Sequence, residues 1–233
     1  LLKWLRRKFL NFNSIIIGST GATGRFVLKE LIKNNNCSKI TSIGRRALGK
    51  NLLNSKIKHI VVDSLLDLSS TRKYWINQDV FFNCIGTTKK KAGGPDQFHN
   101  IEFGISNEAA RMASESKIPH ASIISASGAN HKKWANKWIH PLFYIKTMGQ
   151  KEQTIISDFD FQYASVFKPG MLIRMVDDNN IFEKFLNILG VGLNVEILAN
   201  AMIADAENVI NGTRKSKTKY FLGNNMIINS LKN

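Results

Sequence analysis

Residues 14–24 read SIIIGSTGATG, and no other stretch constrains the fold as much. Three consecutive isoleucines make a short run with no polar alternation, the pattern of a strand buried on both faces, as in a parallel sheet. The run ends in Gly18, Gly21 and Gly24 and opens directly into a helical pattern through Asn35. Gly18 permits a tight turn, Gly21 admits an incoming group to the backbone, and Gly24 lets the helix pack against the strand. The free N–H groups and the positive dipole end of the helix then face whatever occupies the turn. The spacing is G-x-x-G-x-x-G, not G-x-G-x-x-G. Strand, glycine turn and helix in succession, at the head of an alternating chain, still meet the requirements of a dinucleotide site.

The alternation continues. Strand patterns recur at 39–44 (KITSIG), 56–62 (KIKHIVV), 79–86 (DVFFNCIG), 120–127 (HASIISAS) and 161–170 (FQYASVFKPG). Helical patterns cover 67–77, 98–116 and 140–157. Helices between β-branched runs predict an α/β fold with a doubly wound parallel sheet, Rossmann-like, over residues 14–233. Residues 171–233 are expected to form a small C-terminal lobe of helices with a late strand near 219–230. A length of 233 residues suits one such domain, and 43% hydrophobic with 21% charged residues excludes general disorder. Cys37 and Cys84 are too far apart in sequence to signal a disulfide or metal framework, the five histidines show no metal spacing, and no metal is expected. No apolar run approaches the ~18–20 residues of a membrane-spanning helix.

Charge is the unusual quantity: 33 Lys and Arg against 17 Asp and Glu, a formal +16. Such a balance favours nucleic acid, anionic lipid or acidic protein surfaces, although the abundance of Asn, Lys and Ile together is also what a codon bias produces. The cations are unevenly placed. Residues 1–13, LLKWLRRKFLNFN, hold Lys3, Arg6, Arg7 and Lys8, and the first acid in the chain is Glu30. This reads as a cationic amphipathic segment that meets other subunits of a complex or an anionic membrane, or else as an ordinary helix on its own domain. Residues 131–151 are also free of acids and include HKKWANKWIH, where Trp134 and Trp138 suit a partner, a membrane surface or base stacking. The run Lys89-Lys90-Lys91 falls on a loop at the carboxyl end of the sheet and reads as solvated.

At the end of the second strand an NAD site places a carboxylate on the ribose hydroxyls. This chain has Ile43-Gly44-Arg45-Arg46 instead. Two guanidinium forks suit a 2′-phosphate, so the expected cofactor is NADP(H).

GSTGATGRFVLKELI, SKITSIGRRAL, VVDSLLDL, FNCIGTTKKKAG and SVFKPG together resemble the Tat-interacting-protein family of atypical short-chain dehydrogenase/reductases, related to a fungal mitochondrial group. The resemblance covers roughly residues 14–210. It implies NADP(H) binding through Ser19, Thr20, Gly21, Ala22, Thr23 and Gly24 after Gly18, with Arg45 and Arg46 on the 2′-phosphate. It also implies that Asp63 meets adenine and that Ile85, Gly86 and Thr87 lie beside the nicotinamide ribose. A helix cap or turn remains the other reading of Asp63.

Catalysis in short-chain dehydrogenases uses a Tyr, a Lys one turn later that lowers the Tyr pKa, and a Ser on the fifth strand. Tyr and Lys four apart share a helix face, and an unperturbed Tyr titrates near pH ~10. Here Tyr144 is followed by Met148, with Gly149 confirming the register. Lys146 is on the wrong side of the helix, and Lys151 begins about 10 Å away by helix rise. Ser125 matches one of the family's two serines; the second serine and the adjoining lysine are missing. Tyr144 and Ser125 are thus the catalytic candidates of an incomplete site.

The reading is an NADP(H)-binding dehydrogenase-like protein with a degraded catalytic site, acting as an accessory or structural subunit of a mitochondrial assembly, with no small-molecule substrate required. The alternatives are an active NADPH-dependent reductase of a small carbonyl compound and a basic component of an organellar ribonucleoprotein, with nucleic acid held through the basic patches. A cytoplasmic location is the alternative to the mitochondrial one.

Overall fold

The computed structural model describes residues 10–173 and 192–232. Most of the expected N-terminal segment, residues 1–9, lies outside them. Strands β1 (Phe12–Ile17), β2 (Cys37–Gly44), β3 (Ile57–Val61), β4 (Val80–Asn83), β5 (His120–Ile124) and β6 (Tyr163–Lys168) form one sheet together with β9 (Thr218–Leu222). The order is β3-β2-β1-β4-β5-β6-β9, and every pairing is parallel. The strands β7 (Leu172–Ile173) and β8 (Leu193–Asn194) pair separately. The order reverses between β1 and β4, so the crevice at their carboxyl ends is where an open α/β sheet takes a ligand.

The apolar runs are explained by burial on both sides. In β1, Phe12 and Ile16 enter one core with α1 (Gly24–Lys33) and α6 (Val195–Ile210). Ile15 and Ile17 enter the opposite core with α4 (Ile105–Glu115). In β4, Phe82 faces the first core and Phe81 the second. Phe12 opens the strand two residues before the sequence pattern does. Within residues 1–13 it is therefore a core residue of this domain and not part of an outward-facing arm.

Three elements differ from the sequence pattern. The helix expected at 67–77 is a 3-10 turn, Ser69–Tyr74. Thr71 Oγ1 donates to the Leu68 carbonyl and Asp67 accepts from the Ser69 amide, local bonds that compete with a helix ladder. The helix expected at 98–116 starts earlier, with Pro95 at its first position, as α3 (Pro95–His99). It then passes through a π turn, Asn100–Gly104, before α4. The late strand ends at Leu222 and is followed by helix α7 (Gly223–Asn229). It is the seventh strand of the main sheet, with Phe221 stacked on Phe167 of β6 at 4.1 Å between centroids.

That edge is fastened by a buried polar cluster. Arg214 Nη1 donates to Asp205 Oδ2 (2.9 Å) and Ser165 Oγ (2.5 Å), and its Nη2 donates to the Ala164 carbonyl. Ser165 donates its one proton to Asp205 (2.5 Å), so His120 Nε2–H is the donor in the 2.7 Å contact with Ser165 Oγ. His120 Nδ1 has no hydrogen-bond partner among the described residues. Burial, with Arg214 adding to it, pushes the imidazole from its ordinary value near 6.5 down to about 3.

The folded state therefore holds His120 neutral where the unfolded chain takes up a proton. This contribution to stability is complete above about pH 6.5 and is lost as pH falls toward about 3, at a limiting slope of about 1.4 kcal/mol per pH unit. Urea midpoints measured at about pH 7 and about pH 5 should fall less in His120→Gln than in the unmodified chain, because the substitution removes the proton uptake.

Candidate functional site

The glycine turn is fixed by contacts that no side chain tolerates. Gly18 has φ +78°, and a Cβ there would lie 2.6 Å from the Cys84 carbonyl oxygen. A Cβ on Gly24 would strike the Gly18 carbonyl. The turn closes with Gly21 N–H on Gly18 O (2.9 Å). Helix α1 has no acid in its first turn and no side-chain cap, which leaves its positive end for an anion.

Arg46 is held by a chain that the sequence did not disclose. His59 Nε2 lies 2.9 Å from the Arg46 carbonyl and must donate to it. His59 Nδ1 then accepts from Ser42 Oγ (2.9 Å), and Ser42 Oγ accepts from Ser19 Oγ (2.7 Å). Arg46 Nη2 donates to Thr20 Oγ1 (3.1 Å). So β1, β2 and β3 together fix the loop that carries Arg45 and Arg46. A lone histidine on a strand gave no signal of this.

Arg45, Arg46, Thr20 and Gly86 line a cavity of about 670 Å³ at the sheet's carboxyl end. Lys91 lines it too, from the single turn α2 (Lys89–Ala92), so this lysine of the run is not simply solvated. Asp63 is exposed just past β3, and the wall there is Leu65. A second cavity of about 370 Å³ shares Gly21, Ala22 and the Cys84–Thr87 segment with the first and adds Thr23. Ser125, Tyr144 and Met148 line it, as do Pro169–Leu172. The structure thus brings Ser125 and Tyr144 to the continuation of the glycine-turn cavity.

The buried charged groups around the second cavity have definite partners. Ser125 Oγ donates to Glu152 Oε1 (2.5 Å), and Lys168 Nζ bonds Glu152 Oε2 (3.0 Å) and the Ala129 carbonyl (3.0 Å). Tyr144, on helix α5 (His140–Gln153), packs 5.7 Å from the Phe98 ring. Met148 is 4% exposed and lines the wall. Lys151 is fully buried and turned elsewhere: its Nζ donates to the Ile85 carbonyl (2.6 Å) and pairs with Glu102 (3.0 Å). Glu102, in the π turn, accepts from the Thr87 amide with its other oxygen (2.6 Å). Burial pushes the Cys84 thiol up to about 12, which keeps it protonated and unreactive.

No protein-family model matches the chain. Protein FMP52, mitochondrial, of Debaryomyces hansenii is 30% identical over 183 residues, covering 76% of this chain and 76% of that protein. The chain belongs to the FMP52 family. Protein FMP52, mitochondrial, of Meyerozyma guilliermondii is 31% identical over 166 residues. Protein HTATIP2 of Rattus norvegicus is 30% identical over 169 residues. These two matches cover 69% and 71% of this chain and 65% of each relative, so the chain spans slightly less than two thirds of their length. The family and the mitochondrial location expected from the sequence are those of the fungal relatives. Among solved structures, UDP-N-acetylglucosamine 4-epimerase from Methanobrevibacter ruminantium M1 aligns with a TM-score of 0.66 at 18% identity, over 91% of this chain and 76% of that one. The oxidoreductase ylbE from Lactococcus lactis aligns at 0.62 and 14%, over 94% and 95%. At these identities they show the fold alone, a Rossmann-like parallel sheet.

In this FMP52-family chain the Lys151–Glu102 pair is the buried link between α5 and the Ile85–Thr87 backbone. Removing one partner leaves an uncompensated buried charge. Lys151→Met should destabilise the fold by about 3–5 kcal/mol in urea titration, and adding Glu102→Gln should recover part of the loss.

Proposed function

We propose that the chain binds NADP(H) and serves as a nucleotide-holding accessory subunit in the mitochondrion, its dehydrogenase chemistry suppressed. The residues fit the group. The cradle at Gly18 and Gly21 is one a Cβ would fill or crowd, and the first cavity presents Arg45, Arg46 and Lys91 with no carboxylate in its lining. In this reading the Gly18–Gly24 turn holds the pyrophosphate, Arg45 and Arg46 take the 2′-phosphate, and Ile85–Thr87 flanks the nicotinamide ribose, while Asp63 stays outside the lining and keeps the turn role. A bound NADPH supplies hydride. A carbonyl substrate also needs a proton, which Tyr144 would deliver from the second cavity.

The observation that carries the suppressed reading is Met148. It supplies an apolar thioether to the cavity wall one helical turn from Tyr144, at the place of the ammonium that lowers a tyrosine's pKa. Lys151 does not replace that ammonium, because Ile85 and Glu102 hold it. Loss of a tuned proton-transfer partner lowers rates by roughly 10²- to 10⁴-fold. The active-reductase reading is favoured by Ser125, whose hydroxyl lines the same cavity as Tyr144 and is oriented by Glu152. The partner-facing element of the accessory reading is the cationic segment that precedes β1.

Calorimetry should show tighter binding of NADPH than NADH. Replacing both Arg45 and Arg46 with Ala should weaken NADPH by about 10- to 100-fold, as expected for charge-assisted bonds, and leave NADH nearly unchanged. Equal affinities in the unmodified chain would refute the NADP(H) assignment. NADPH oxidation with small aldehydes and ketones should be slow and should rise in Met148→Lys. Fast oxidation by the unmodified chain that Tyr144→Phe abolishes would establish the reductase instead.

A further inference from the structure

After Ser125 and Ala126, which line the second cavity, the chain makes an irregular excursion before α5 that neither cavity uses. At its tip Trp134 is 71% exposed, Trp138 88% and Ile139 45%, in a fold whose other described tryptophan, Trp75, is fully buried. Large aromatic groups standing this far into solvent are what an interaction surface displays. Lys132, Lys133 and Lys137 alternate with them and are exposed as well. Of these, Lys137 pairs with Asp96 on α3. No acid occurs anywhere from residue 131 to 151.

The excursion is built, not slack. Asn130 Oδ1 accepts from the Lys132 amide (2.9 Å), and Asn136 Oδ1 accepts from the Trp138 amide (3.0 Å), so two successive asparagine turns face their following residues outward. The Asn130 amide is tied to the Ile145 carbonyl on α5 (3.0 Å). Gly149 permits that approach, since a Cβ there would collide with the backbone of Asn130 and His131. The result is a fixed rim of apolar rings and ammonium groups on the sheet's carboxyl end, the end that carries both cavities.

We infer that this rim docks on an anionic phospholipid surface. Tryptophan belongs at the membrane–water boundary, where its ring lies among acyl chains and its N–H stays in the headgroup layer. Lysines beside it extend their stems toward lipid phosphates. A protein interface favours the tryptophans equally but is depleted in lysine. Single-stranded nucleic acid would stack on the two rings but gives Ile139 no role. No described helix is long and apolar enough to cross a membrane, so the contact is peripheral. Docking in this way turns the mouth of the nucleotide cavities toward the bilayer.

The test is co-sedimentation of the full chain with vesicles of phosphatidylcholine alone or doped with phosphatidylglycerol. The intact protein should bind the doped vesicles and release them at high salt. Trp134→Ala with Trp138→Ala should weaken that binding by about tenfold or more, and Lys132→Glu with Lys133→Glu should weaken it comparably. Both pairs lie on an exposed loop, and an unchanged circular dichroism spectrum and unchanged NADPH affinity would separate a docking defect from misfolding. Tryptophan fluorescence should be quenched by brominated lipid in the intact chain and much less in the tryptophan-free loop. Failure to bind doped vesicles overturns the inference, as does binding that the paired tryptophan substitution leaves intact. Retention on a uridine oligonucleotide that vesicles cannot displace also overturns it and assigns the rim to RNA.

Discussion

At the centre of the sheet the backbones of Gly18 and Gly24 approach so closely that one methyl group on Gly24 would separate them. The geometry of the crevice follows from that contact. It seats the first turn of α1 against the end of β1 and aims unshared N–H groups into the crevice. It also leaves the Cys84 carbonyl as the floor beneath the turn. Because β1 lies between β2 and β4, the same contact sets where the Arg45–Arg46 loop and the Ile85–Thr87 segment converge.

The other half of the site is organised by α5. Over nine residues this helix presents Tyr144 and Met148 to the cavity, Gly149 to the Asn130 loop, Lys151 to Ile85, and Glu152 to Ser125. The two buried glutamates have different tasks. Glu102 joins the lysine to the cofactor-side backbone, whereas Glu152 joins Lys168 to the serine. A buried ion pair adds little net stability, but its geometry is strict, and here both pairs fix the positions of groups that line the cavities.

The parallel sheet and the glycine turn were legible because their causes are local: β-branched runs without alternation, and glycine where backbones touch. The place of Arg45 and Arg46 beside the cavity was legible for the same reason, as two like charges at a strand end. Phe12 was not, because a cationic stretch precedes it and only the packing of α1 and α6 shows it as core. The 67–77 segment looked helical, but side-chain-to-backbone bonds at Thr71 and Asp67 prevailed over periodicity. His59, Glu102 and Glu152 carried no signal at all. Each acts through a partner between 13 and 27 residues away, a distance at which spacing arguments say nothing. The fate of Lys151 was half legible: helix rise set it too far along to serve Tyr144, but its burial against Ile85 depends on the π turn that brings Glu102 inward.

The seventh strand has a consequence for how the molecule is made. β9 pairs with β6 across some fifty intervening residues, and Arg214 lies just before it. Until that stretch leaves the ribosome, β6 is an open edge, and Asp205, His120 and Ser165 await the cation that completes their cluster. The sheet's last edge and this buried ion pair are therefore completed together and late, so a nascent chain cannot mature strand by strand from its N-terminus. A chain interrupted before Arg214 would expose both defects at once, an unpaired strand and an unneutralised carboxylate.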